Sequence, residues 1–405
     1  MVGNNSNGRP KKVVVLIGYF DTFSGYQEIG LARSLAQDYE VHVITSDQVN
    51  PIFTDEHLGR IGQPRRYTEL TGKYCDANII RLPSRHVRAM AFNRRVGSTL
   101  AALDPDIVIQ MMPGQIMPSL ATRASGGKPR AVIFGDNRAM WAYLSPFQQK
   151  VKEVVFTLTK GLVYWLTVRK AAVVLCYTQD TRNRLRKFFS GVPSHLLPLA
   201  FDDEIFRYDQ RLRDEVRAEF GFTESTRVFL LVGKYKREKR FEEFIEAFGE
   251  LRRGGSDSRL LVVGPSLEQL RGVLDSSSLT GGAVIVAPFA DHARLNALMN
   301  AADVGIWPAM PAITIQQAMG SGLFVVINDD DLVGHLVQDD RVGMKILGLA
   351  DQSPEQMAQA LDSAVRRLAV SSRQERASIN HWLSIDGLGR RVIDLLANPG
   401  ETRES

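Results

Sequence analysis

The chain has 405 residues, 44% hydrophobic and 23% charged, with a formal net charge of +5 and an isoelectric point near 9.1. That size predicts two or three domains of ordinary globular composition, each able to bury its own core. Two cysteines without metal-ligand spacing, no apolar leader ahead of the first strand, and no apolar run near the ~18 residues of a membrane span exclude a disulfide scaffold and a spanning protein, so the expected location is the cytoplasm.

Residues 13–18, VVVLIG, form a continuous apolar run of the kind buried on both faces of a parallel sheet. A loop carrying Ser24 and Gly25 follows. From Tyr26 onward, Ile29, Leu31, Ala32, Leu35 and Ala36 recur at helical spacing. Residues 40–45, EVHVIT, complete a β-α-β unit. Further strands are predicted at 77–83, 106–112, 130–135 and 172–178, with a helix rich in Val, Phe, Leu and Trp over 148–169. The alternation restarts with a strand at 227–234 and a helix at 241–253. It continues with strands at 259–265, 282–289, 304–308, 323–328 and 343–347, and helices at 267–274 and 295–302. Residues 381–396 read as one last helix, followed by a loose tail. This predicts an N-terminal Rossmann-like domain over 1–198, a second over 199–375, and a segment 376–405 returning to the first, with 197–206 as the linker.

The densest chemical signal is 233–240, GKYKREKR, between a strand and a helix. Ligands of open α/β sheets bind outside the carboxyl ends of the strands, and a helix amino end offers free N–H groups and a positive dipole. Lys234, Lys236, Arg237, Lys239 and Arg240 there suit a pyrophosphate leaving group. The plainer alternative is a solvated basic loop capping a helix. The fingerprint G-x-G-x-x-G is absent after the first strand, which sets aside a nicotinamide dehydrogenase.

With these residues in view, the second half resembles the C-terminal domain of the retaining GT-B glycosyltransferases of family 4. In that family a strand ends in Gly-Arg with a Lys five positions later, and both cations hold the donor diphosphate. Gly233 matches the glycine, Lys234 the Arg and Lys239 the Lys. LLVVGPS resembles the second strand and its glycine turn. The stretch 287–309 resembles the base-contacting loop and the strand after it. QAMGSGLFVV resembles the Glu-Ala-Met-Ala-x-Gly-x-Pro-Val-Val signature, and LPLAFDDEIF the interdomain linker. Ser24-Gly25 and Glu28 are similar to the glycine loop and acidic residue of the first half; a bare β-to-α turn needing glycine is the other reading. The resemblance implies an α/β GT-B fold, two Rossmann-like doubly wound domains facing a central cleft.

The chain departs from the pattern at its acids. Gln317 stands at the second signature glutamate, which accepts from the donor ribose; an amide oxygen still accepts, more weakly. The first glutamate would fall at Ala309, in a loop shortened by about three residues and holding no Glu, with Thr314 and Gln316 the nearest polar side chains. Gly135 and Gln110 stand where relatives often carry His, and Asp136 is the candidate for orienting acceptor or sugar hydroxyls, or else a helix cap. His335 sits where relatives often have Glu.

The resemblance thus implies a retaining transferase drawing on a nucleotide diphosphate-sugar, with no metal and no other cofactor. Asp136, Lys234 and Lys239 are its candidate catalytic residues. Gly25, Gly233, Lys234, Lys239, Phe289, Thr314 and Gln317 would bind the donor, and Glu28, Asp136 and Asn137 the acceptor, a saccharide, a lipid-linked saccharide or a small metabolite. Asp329-Asp330-Asp331 reads either as a divalent-cation site or as a solvated turn. Aromatic and basic residues alternate over 138–170, and basic residues cluster over 81–95. Both stretches read as core-facing segments or as peripheral contacts with the inner membrane face. No recognition motif supports nucleic acid. The rival to an enzyme is a GT-B-shaped scaffold partnering an active transferase, for which the missing glutamates speak.

Overall fold

The computed structural model describes residues 10–87, 90–136, 144–189, 191–255, 257–277, 279, 282–308 and 311–400. Its chain divides into two compact units, 1–198 with 385–405, and 199–384. Both are Rossmann-like, doubly wound α/β structures.

The first unit is built on an eight-stranded sheet in the order β10-β9-β8-β7-β1-β2-β4-β3. Its strands are β1 (Lys12–Leu16), β2 (Glu40–Ser46), β3 (Thr71–Tyr74), β4 (Ala77–Leu82), β7 (Ile107–Met111), β8 (Arg130–Phe134), β9 (Val173–Cys176) and β10 (Ser194–Leu196). Only β3 runs antiparallel, against β4. A separate hairpin joins β5 (Arg85–Val87) to β6 (Met90–Phe92). The helices are α1 (Gln27–Ala36), α2 (Asp55–Arg60), α3 (Val96–Leu103), α4 (Met117–Leu120), α5 (Pro146–Val168) and α6 (Gln179–Leu185). The central strands are apolar on both faces because helices cover both: Val13, Val14, Val15 and Leu16 are fully buried. A capping box of Ser145 and Gln148, with Pro146 at the first turn, starts α5.

The second unit holds an all-parallel sheet in the order β13-β12-β11-β14-β15-β16. These strands are β11 (Arg227–Val232), β12 (Ser258–Gly264), β13 (Val284–Pro288), β14 (Val304–Trp307), β15 (Phe324–Asn328) and β16 (Gly343–Ile346). Its helices are α7 (Gln210–Glu219), α8 (Phe241–Arg253), α9 (Leu267–Ser276), α10 (His292–Ala301), α11 (Ile313–Gly320), α12 (Pro354–Arg367) and α13 (Arg373–Ile379). Alternate residues of β11 face two separate cores. Val228, Leu230 and Val232 pack toward α7, α10 and α11. Phe229 and Leu231 pack toward α8, α9 and α12. The strand order reverses between β11 and β14, which places the ligand crevice of such sheets at their carboxyl ends.

The end of the chain differs from the sequence reading in two ways. Residues 376–384, expected to return with the C-terminal segment, group with the second unit. Arg376 Nε donates to the Gly322 carbonyl at 2.9 Å, and Phe201 N to Leu383 O at 3.0 Å. The single helix expected over 381–396 is broken: a 3-10 turn spans Asn380–Leu383, and α14 (Leu388–Ala397) starts afresh. Ser384 pairs in bridge fashion with Phe201, so it is extended and cannot be helical. Beyond it, α14 docks on α1. Ser34 Oγ donates to Asp386 O at 3.0 Å and accepts from Gly389 N at 2.8 Å. A β-carbon on Gly389 would stand 2.9 Å from Leu35 N, so glycine permits the close approach.

Candidate functional site

The reversal point of the second sheet is shaped by two glycines at the ends of neighbouring strands. Gly233 follows β11 with φ +148°, and Gly264 ends β12 with φ +114°. A β-carbon on Gly264 would lie 2.4 Å from the Gly233 carbonyl oxygen, so no other residue fits. The chain turns from Gly233 through the basic loop into a 3-10 turn, Arg237–Lys239, and then α8.

The five cations of that loop separate by role. Arg240 adopts a left-handed conformation, φ +58°, and its guanidinium is spent on the fold, binding Glu243 at 2.7 Å and the Ala350 carbonyl at 3.0 Å. Lys234, Lys236 and Arg237 are exposed. Lys239 folds back over the glycine: its Cε and Cδ lie 3.7 and 3.9 Å from where a Gly233 β-carbon would stand. Burial, and secondarily the charge of Lys236, push its ammonium below the usual lysine range. Among the described residues no carboxylate pairs with Lys234, Lys236, Arg237 or Lys239. A small pocket beside Lys239 is lined by Val232, Phe241, Ile306, Trp307 and Pro308, and so joins the ends of β11 and β14.

Three further expected donor residues, Thr314, Gln317 and Phe289, stand along this same carboxyl edge, whereas Gly25 belongs to the first unit. Thr314 lies in the first turn of α11 and accepts the Trp307 indole N–H at 3.0 Å. Gln317, one turn on, is 7% exposed. The Gln316 Oε1 beside it is buried without a donor among the described residues. Phe289 follows β13 and is 76% exposed, free to stack on a planar group. Ala309 lies outside the described residues. Asp330 caps its own turn, accepting from Leu332 N, Val333 N and Asn328 Nδ2 at 2.8, 3.0 and 2.7 Å, so the aspartate run builds a turn. His335 sits in the 3-10 turn Gly334–Leu336.

In the first unit, the strand order reverses between β1 and β7. There Gln115 Oε1 accepts from Gly18 N at 2.8 Å, across the reversal point. Gly25 is exposed and takes φ +64° in the turn before α1. Glu28 is buried in the first turn of α1, and burial pushes its carboxyl up to about 8. Its field adds to the burial that raises Tyr177, whose hydroxyl has no partner among the described residues. Tyr177 packs on Gly135, where a β-carbon would meet its ring at 2.9 Å. Glycine at 135, in place of a histidine, is thus a packing requirement. Asp136 accepts from Tyr164 Oη at 2.6 Å and Lys160 Nζ at 3.5 Å, which ties the end of β8 to α5. Asn137 lies outside the described residues. Within the basic stretch 81–95, Arg81 is buried, its guanidinium 3.5 Å from the Tyr67 ring centre, whereas Arg85, Arg94 and Arg95 are exposed.

Local sequence pattern marks the basic turn, and Tyr164 only as one aromatic of the stretch 138–170, but not Gln115, Tyr177 or Trp307. Gln115 and Tyr177 meet their partners 97 residues away at Gly18 and some forty away at Gly135, distances over which local pattern carries no signal.

Residues 226–367 match the family described as "Glycosyl transferases group 1". The alpha-D-kanosaminyltransferase of Streptomyces kanamyceticus is 27% identical over 228 residues, 53% of this chain and 55% of that protein, so the match spans about half the relative's length. Among solved structures, the Anabaena HepE protein, crystallised with UDP, matches with a TM-score of 0.64 at 13% identity, over 96% of this chain and 100% of that one. Sucrose-phosphate synthase from Thermosynechococcus elongatus gives 0.58 at 16% identity, over 95% and 94%. A glycosyltransferase from Rickettsia africae gives 0.61 at 12% identity, over 98% and 99%. At such identities the likeness establishes the fold alone, and that fold is GT-B.

Proposed function

We propose that the protein transfers a glycosyl group from a nucleotide diphosphate-sugar to an acceptor hydroxyl, with retention at the anomeric carbon. The observation that carries the reading is the set of cations at the reversal point of the second sheet that no carboxylate among the described residues pairs, with Lys239 laid over Gly233. The match of residues 226–367 to group 1 glycosyl transferases supports it, as do the HepE structures holding UDP and UDP-glucose.

In this scheme Lys239 and Lys234 hold the diphosphate, Gln317 accepts from the ribose, and Phe289 lies under the base. The bond from the anomeric carbon to the phosphate oxygen breaks as the bond to the acceptor oxygen forms. The acceptor proton passes to the departing phosphate, so no strong protein base is required. Cations fixed near the leaving oxygen stabilise its charge as it develops. Glu28 and Asp136 contribute to the acceptor side through positioning, since both are held by the fold.

The test is turnover. Purified protein is offered nucleotide sugars differing in base and sugar, with saccharide and lipid-linked acceptors. Release of nucleoside diphosphate is followed, and the product's anomeric configuration is read by NMR. A product of retained configuration is expected. Tight nucleoside diphosphate binding with no turnover on any pair would instead assign the chain to the scaffold reading, for which Gln317 in place of an acid is the specific observation.

A further inference from the structure

Helix α5 has two faces of opposite kind. Phe156, Tyr164, Thr167 and Val168 are buried against the first unit. Opposite them, Phe147, Val154, Leu158, Leu162 and Trp165 are 76%, 57%, 77%, 63% and 48% exposed, and Val151, Val155 and Leu166 join the same side. At 100° per residue these eight fall within one arc of about 120°, bounded by Val154 and Leu166, which they share within the helix only with Gln148, at its edge. The stripe runs from Phe147 to Leu166, about 30 Å at 1.5 Å per residue. A single exposed leucine needs no explanation, but a continuous apolar stripe of this length does.

The charges around the stripe identify what covers it. Lys150, Lys152, Arg169 and Lys170 are exposed on α5 or directly after it. The one acid of the helix, Glu153, lies toward the buried side and is bound by Arg184 and Lys187 at 2.9 and 3.0 Å. The exposed face is therefore apolar, and the exposed charges of α5 at its rim, Lys150 foremost, are cationic among the described residues. Arg169 stacks 5.2 Å from the Trp165 ring centre, placing an amphipathic ring and a cation together at one end. No helix among the described residues is long and apolar enough to cross a membrane, so α5 would lie along a surface, not through it.

We infer that this face of α5 docks on an anionic phospholipid bilayer, with Phe147, Leu158, Leu162 and Trp165 entering the headgroup region and the lysines meeting lipid phosphates. A second copy of the chain fits less well, because a symmetric pairing would bring two cationic rims together. The inference does not rest on sugar transfer, and its readout is separate from activity.

Flotation of the full-length protein with extruded vesicles tests it. Vesicles of phosphatidylcholine mixed with phosphatidylglycerol should carry the protein upward, and phosphatidylcholine alone should carry far less. Leu158→Glu with Leu162→Glu should lower the apparent affinity by about tenfold or more, with an unchanged circular-dichroism melt, since both positions face solvent. Lys150→Gln should weaken binding about fivefold and reduce its salt dependence. Equal binding to both vesicle types, or no effect of the double glutamate variant, overturns the proposal. So does a dimer seen by light scattering that the double variant dissociates while the parent ignores vesicles; that result would make the face a protein interface.

Discussion

The two sheets reverse their strand order in the same way and furnish the two reversal points differently. In the first unit the Gly18 N–H is taken by Gln115, and the nearby acid Glu28 is buried and holds its proton up to about pH 8. These two groups are satisfied or neutralised by the protein itself. In the second unit the corresponding loop carries Lys234, Lys236, Arg237 and Lys239 with no carboxylate partner among the described residues. A folded chain tolerates a half-buried cation without a counterion when an anion arrives from outside. The contrast teaches that topology offers two crevices, while side-chain pairing decides which is left for an anionic ligand.

The largest effect should come from removing the glycine pair. Gly264→Ala forces a β-carbon to 2.4 Å from the Gly233 carbonyl at a positive φ, which should cost on the order of 3 kcal/mol and abolish nucleoside diphosphate binding, as read by thermal melts and calorimetry. Next is the neutralised acid of the first unit. Glu28 titrates near 4.5 when unfolded and about 8 when folded. Its contribution is whole below the lower value and is lost as pH rises through the upper one. Stability should therefore decline across that window and level off above it. Glu28→Gln should flatten the decline and be more stable than the parent at pH 8, on the order of 2 kcal/mol, by denaturant titration. Lys239→Ala should weaken nucleoside diphosphate binding by about 2 kcal/mol, roughly thirtyfold, while the melt stays level or rises, because a half-buried cation is removed. The smallest effect is Gln115→Ala. It orphans the Gly18 N–H and should cost about 1 kcal/mol of stability with no change in nucleotide affinity. A loss of affinity there as large as that of Lys239→Ala would erase the distinction between the two crevices.

Much of this was legible in the chain because long apolar runs such as 13–16 and 228–232 are strands buried on both faces, where composition alone speaks. The three- and four-residue strands β3, β5, β6 and β10 were not legible: they are short, and most of their residues are exposed or half-exposed, so no period stands out. The break before α14 was hidden because Ser384 is extended by its distant partner Phe201, a tertiary contact overriding an apparent helical pattern. At the basic turn, sequence placed five cations but could not rank them. Tertiary contacts rank them: Arg240 serves the backbone of Ala350, 110 residues on, while Lys239 turns over Gly233. On α5 the pattern of Val, Leu and aromatic residues was visible, but the exposed and buried arcs are separated only by what packs against them.

The most direct measurement is a calorimetric cycle comparing nucleoside monophosphate and nucleoside diphosphate on the parent and on Lys239→Ala. If Lys239 grips the diphosphate, the affinity gained by adding the second phosphate should be large in the parent and should shrink by about tenfold or more in the variant. The same gain in both proteins would mean that the lysine over Gly233 does not touch the phosphates, and the proposed donor site would have to be abandoned.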